Sequence, residues 1–126
     1  MSPSVAIPLI AAAINEDRDV LKQLWAKLLA AAMDPHRANL VRPSVIELLR
    51  RMDPLDAAVL RCANATGGGL ITNDTREKMA SELGASRDET DVSIANLQKL
   101  ELVVPTNPPN AIVSPLGREF LRAVAD

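Results

Sequence analysis

Chemistry needs particular side chains, and this chain of 126 residues offers few of them. It has one histidine, His36, and one cysteine, Cys62. A catalytic triad would have to pass through His36, which stands in Asp34-Pro35-His36-Arg37, a run that reads as a helix stop and turn. An acid–base enzyme would draw on Asp34, His36 and Glu47, and their spacing makes no constellation. A zinc site would have to combine His36 and Cys62 with carboxylates, and no ligand spacing supports one. Cys62 falls among apolar neighbours on an expected helix, the setting of a small core residue. A reactive thiol wants a basic or histidine neighbour, and only Arg61 is near in sequence. Gly67-Gly68-Gly69 lacks both the P-loop lysine and the dinucleotide-binding spacing. No catalytic, cofactor-binding or metal-binding residue is assigned.

The elements that would position any site come from an ordinary globular composition. Hydrophobic residues make up 48 % and charged residues 24 %, a balance that disfavours wholesale disorder. The two aromatics, Trp25 and Phe120, leave the core to Leu, Ala, Val and Ile and provide no base-stacking surface. The net charge of −2 argues against a broad phosphate-binding face. A lone cysteine forms no internal disulfide and fits a reducing, cytoplasmic compartment. The N-terminal apolar run is broken by Pro8, lacks a basic leader and is too short to span a bilayer, so no membrane partner is expected.

Periodicity predicts a short apolar helix over residues 7–14, then the clearest pattern in the chain. Val20, Leu21, Leu24, Trp25, Leu28, Leu29, Ala32 and Met33 recur in pairs every four residues, an amphipathic helix stopped by Asp34-Pro35. A third helix begins near Pro43 or Ser44, with Val45, Ile46, Leu49 and Met52 inward. Asp53-Pro54 starts a fourth. Leu70-Ile71-Thr72 can make a short strand, and Asn73-Asp74-Thr75 caps a fifth helix that stops at Gly84. Ser86-Arg87-Asp88-Glu89 is a capping box for a sixth, with Val92, Ala95, Leu97 and Leu100 as its apolar residues. Strands at Leu102–Pro105 and Ala111–Val113 flank a turn, and Ser114-Pro115 opens the last helix.

Helix, strand, helix, tight turn, helix, strand, turn, strand, helix is the order of a winged helix-turn-helix. The expected fold is mainly α: N-terminal amphipathic helices packed on a winged helix-turn-helix with a small β-wing. Residues 1–41 form a helical leader of two helices and residues 42–126 the winged-helix-like domain. Trp25, Leu28 and Leu29 are its anchors at the joint, with Phe120 on the last helix.

A winged helix invites a DNA-binding reading, for which Arg87, Asn96 and Lys99 are the candidate contacts. Charge weighs against it. Residues 75–104 hold four basic side chains against six acidic ones, and Asp88, Glu89 and Asp91 crowd the first turn of the recognition helix. Carboxylates there would repel phosphates. Residues 1–63 are by contrast net +1, and Arg37, Arg42, Arg50 and Arg51 are candidates for a surface facing an anionic partner.

Three stretches resemble the abortive-infection alpha family of bacterial proteins. They are Ile7-Pro8-Leu9-Ile10-Ala11-Ala12-Ala13, the Trp25-Ala26-Lys27-Leu28-Leu29-Ala30-Ala31-Ala32-Met33-Asp34-Pro35 run, and Arg42-Pro43-Ser44-Val45 through Met52-Asp53-Pro54-Leu55, with Ser114-Pro115-Leu116-Gly117 near the end. The resemblance implies a role in defence against phage, by stopping infected cells before progeny are released. It also implies that such domains sit in longer proteins. The expectation is a non-enzymatic, cofactor-free module that recognises a protein partner or a second copy of itself. The alternative is a DNA-binding transcriptional regulator.

Overall fold

The computed structural model describes residues 18–65 and 67–124 together with Val5, Ala6 and Leu9. The helix expected over residues 7–14 lies outside the described residues except for Leu9, which is helical and buried. The described chain is mainly helical, with six α-helices and one small antiparallel sheet.

Two compact units divide it, one of residues up to Pro54 with Glu119 onwards, the other Leu55–Arg118. The first contains α1, Asp19–Met33, a single 3-10 turn at Ala38–Leu40, and α2, Pro43–Arg50. Helix α1 ends where Asp34, before Pro35, takes an extended backbone. Its buried face is Leu21, Leu24, Trp25, Leu28, Ala31 and Ala32, a stripe at helical spacing. That stripe is narrower than the expected one: Val20 and Met33 are exposed and Leu29 is half-buried. Val20 and Met33 stand at the two ends of the helix. In α2, Val45, Ile46 and Leu49 are buried, as is Met52 just beyond it.

The second unit begins in α3, Pro54–Ala65, and continues through β1, Leu70–Ile71, α4, Asn73–Leu83, and α5, Arg87–Lys99. Strands β2, Val103–Pro105, and β3, Ala111–Val113, lead into α6, Pro115–Ala123, whose later residues belong to the first unit. The sheet order is β1-β3-β2, all antiparallel. Alternation divides its faces. Ile71, Val103, Ala111 and Val113 are buried. Leu70 and Val104 both stand opposite Ile112, and this row faces outward.

Ser114-Pro115-Leu116-Gly117 has a direct structural meaning. The Ser114 hydroxyl donates to the Glu101 carbonyl at 2.7 Å and accepts from the Gly117 amide at 3.0 Å, so one side chain ties the β2 entry to the start of α6. Pro115 takes the first helical position, where a missing N–H costs nothing. Gly117 packs against the backbone there: a Cβ would collide with the Leu102 carbonyl oxygen and lie 2.8 Å from Val113 Cγ1.

Candidate functional site

Helix α4, the turn after it and α5 are built by caps. The Thr72 hydroxyl accepts from the Thr75 amide at 3.2 Å, so the cap is Thr72 rather than the expected Asn73-Asp74-Thr75, and these three residues form the first turn of the helix. Gly84 closes α4 with φ +65°, a conformation that favours glycine. Ser86 and Glu89 then form both bonds of the expected capping box, each at 3.0 Å. The Ser86 amide, and then its hydroxyl, hold the Glu89 carboxyl below the usual range.

Of the four apolar residues expected on this helix, Leu97 and Leu100 are buried and Val92 and Ala95 are not. The buried face is Thr90, Ser93, Ile94 and Leu97, so Val92 and Ala95 point to solvent. Val92 is 69 % exposed. Thr90 and Ser93 are small enough to be buried, and the Thr90 hydroxyl donates to the Ser86 carbonyl at 3.0 Å. Asp88, Val92, Ala95 and Lys99, at helical spacing, form one outward stripe.

A charge network flanks this stripe. Arg87 donates to Glu77 at 2.7 Å, to Asp91 at 3.1 Å and to Asn73 at 3.0 Å. Arg76 donates to the same Asp91 oxygen at 2.9 Å and to the carbonyl of Pro109, in the β2–β3 turn, at 2.9 Å. Burial alone would push the Asp91 carboxyl up; hydrogen bonds from Arg76 and Arg87 outweigh it and hold the group below its ordinary value. Glu77 and then Asp91 hold the Arg87 guanidinium more firmly charged. The acids that crowd the α5 start in sequence are therefore in part neutralised in place. Arg76 and its role were not evident in the sequence, because its partners lie 15 and 33 residues away.

The residues singled out from sequence separate accordingly. Arg87 has its guanidinium engaged within the unit. Asn96 donates its side-chain amide to Asp56, a carboxylate only 1 % exposed, and so ties α5 to α3. Lys99 is exposed and makes no ion pair among the described residues. The burial of Asp56 is not legible in the sequence, where it reads as a first-turn acid suited to a helix N-terminus.

In the first unit, Arg37 donates to the carbonyls of Arg122 and Ala123 at 3.3 and 3.5 Å, a cation on the negative end of α6. Arg42 reaches both carboxylate oxygens of Glu119 at 2.7 Å. Arg50 lies 3.8 Å from Glu47 one turn earlier, and Arg51 is exposed without an ion pair among the described residues. Trp25, Leu28 and Phe120 are buried.

His36 sits in the expected turn, exposed, its amide donating to Asp34 Oδ1 at 2.9 Å. Cys62 is half-buried and donates to Glu82 at 3.5 Å; burial first, and then Glu82, push its thiol up, away from the thiolate a nucleophile needs. Among the described residues no group of three or more His, Cys, Asp or Glu could hold a metal ion. No helix among them is long and apolar enough to cross a membrane.

No curated protein and no solved structure matches the chain. One family model does: abortive infection alpha, over residues 1–114. That span carries α1 with its Trp25 stripe, the capped α4–α5 pair and the whole of the small sheet, so the chain belongs to the abortive infection alpha family.

Proposed function

We propose that this chain acts in phage defence as a non-enzymatic recognition module, in the cytoplasm, through contact with a protein partner or its own copy. Family membership supports the abortive-infection role. The observation that carries the recognition reading is the outward stripe of α5, where Val92 and Ala95 stand exposed between Asp88 and Lys99. Exposed apolar residues rimmed by charge suit a protein surface.

The element order β1, α4, α5, β2, β3 and the sheet order β1-β3-β2 support reading a winged helix within residues 42–126, with α5 in the recognition-helix position. Against the duplex-DNA alternative, two of its three candidate contacts already have partners within the unit, Arg87 on Glu77 and Asp91, and Asn96 on Asp56. Lys99 alone is a thin footprint for a polyanion.

Phage challenge of cells carrying the full chain tests this reading. Alanine at Asp34, His36 and Glu47 together leaves protection intact if no acid–base chemistry is involved. Loss of protection in that variant, with its thermal melt unchanged, would instead identify an enzyme. Duplex DNA of mixed sequence at low salt should give no mobility shift. A shift removed by Lys99→Ala would support the regulator.

A further inference from the structure

The outward stripe of α5 has a symmetry that names its partner. Asp88 and Lys99 lie equally far on either side of the midpoint between Ser93 and Ile94, and Val92 and Ala95 lie equally far on either side of the same point. All four side chains are exposed and share one helix face. The stripe runs acid, apolar, apolar, base, over about 16 Å of helix at the standard rise.

We infer that this face pairs with the same face of a second copy, antiparallel, about a two-fold axis through the middle of α5. This deepens the recognition reading above and rests on it. In that arrangement Asp88 of each copy meets Lys99 of the other, and Val92 of each meets Ala95 of the other. A two-fold interface is self-complementary by construction, since every contact occurs twice. The charge sequence forbids a parallel pairing in register, which would set Asp88 on Asp88 and Lys99 on Lys99. Ala95 keeps the helices close at the centre, where a larger side chain would hold them apart.

The other charged groups near this face leave the two charges free to pair. Arg87 and Asp91 are tied to each other and to Glu77 and Arg76, and Glu89 is held by the Ser86 cap. The same bonds fix α5 against α4, so the stripe is presented on a rigid support. One helix pair buries less than a standard protein interface, so the dimer is weak and fills only at high concentration.

Sedimentation velocity on the full chain tests the pairing, from micromolar to millimolar concentration. The wild type should dimerise reversibly. Asp88→Lys and Lys99→Asp each place like charges at both symmetric contacts and should weaken the dimer about tenfold or more. The first variant carries lysine at both ends of the stripe and the second carries aspartate at both ends. Mixed in equal amounts, they set opposite charges against each other at both contacts, and association should return towards the wild-type value. Thermal melts of each variant alone show that it is folded, so the recovery reports the interface. A mixture no tighter than its components overturns the proposal. So does a wild type monomeric throughout the range, although protection against phage would then still stand for recognition of another protein. A wild-type dimer untouched by any of the variants leaves self-association standing on another face and overturns α5 as its seat.

Discussion

Helices α1 and α5 are of similar length, and they build their buried faces from different kinds of residue. Helix α1 buries Leu21, Leu24, Trp25 and Leu28 and turns Lys22 and Gln23 to solvent, the usual arrangement for a helix that holds a core together. Helix α5 buries Thr90 and Ser93 beside Ile94 and Leu97, and leaves Val92 and Ala95 outside. Its own packing gains nothing from those two residues. Helix α5 is held by its capping box and by the Arg76–Asp91–Arg87 ion pairs as well as by Ile94 and Leu97. The contrast is between a helix whose buried face is wholly apolar and one that adds caps, ion pairs and small polar residues to its apolar contacts.

Substitutions should sharpen that contrast, and the largest effect belongs to α1. Trp25→Ala removes the largest fully buried side chain and should cost about 3–5 kcal/mol in denaturant unfolding, enough to threaten the folded state. In the second unit, Gly117→Ala should cost about 1–3 kcal/mol, because the added methyl meets the Leu102 carbonyl, which belongs to the backbone and cannot rotate away. Asn96→Ala withdraws a hydrogen bond from buried Asp56 and should cost about 1.5–3 kcal/mol by the same measurement. Val92→Ser on the outward stripe should leave the unfolding midpoint within about 0.5 kcal/mol of wild type. A large loss there would mean that Val92 belongs to the core and would erase the comparison with α1.

A pH titration probes the network that supports α5. The Asp91 carboxyl is held below its ordinary value in the folded protein. Its contribution to stability is therefore present above the unfolded value of about 3.9 and is lost as pH falls through the lower folded value. Acid unfolding followed by circular dichroism should show this as a loss confined to pH below about 4, and Asp91→Asn should flatten it. If both proteins give the same acid limb, the Arg76–Asp91–Arg87 contacts contribute nothing measurable.

Legibility in the sequence follows the same division. Helix α1 can be read because its buried face is made of large apolar residues at helical spacing, and its end because Asp34 precedes Pro35. The α5 capping box can be read because Ser86 and Glu89 are three residues apart and bond only to each other's backbone. The inward face of α5 is only half legible by hydrophobicity: Leu97 and Leu100 are buried as their type suggests, but Thr90 and Ser93 are buried where Val92 and Ala95 are the apolar choice. The ties that matter most around the candidate site cannot be read. Arg76 meets the Pro109 carbonyl across 33 residues and Asn96 meets Asp56 across 40, and no local pattern announces either. Arg37 and Arg42 look like free surface charge for a similar reason, because their partners in α6 are 77 or more residues away.

The claim that the outward face of α5 serves protein and not DNA can be observed residue by residue. Amide nitrogen–proton spectra of the full chain would be recorded at rising protein concentration, and then at low concentration with mixed duplex DNA in low salt. Asp88, Val92, Ala95 and Lys99 should shift together as concentration rises and stay in place when duplex is added. Shifts around Lys99 on adding duplex, with the stripe unmoved by concentration, would contradict the claim.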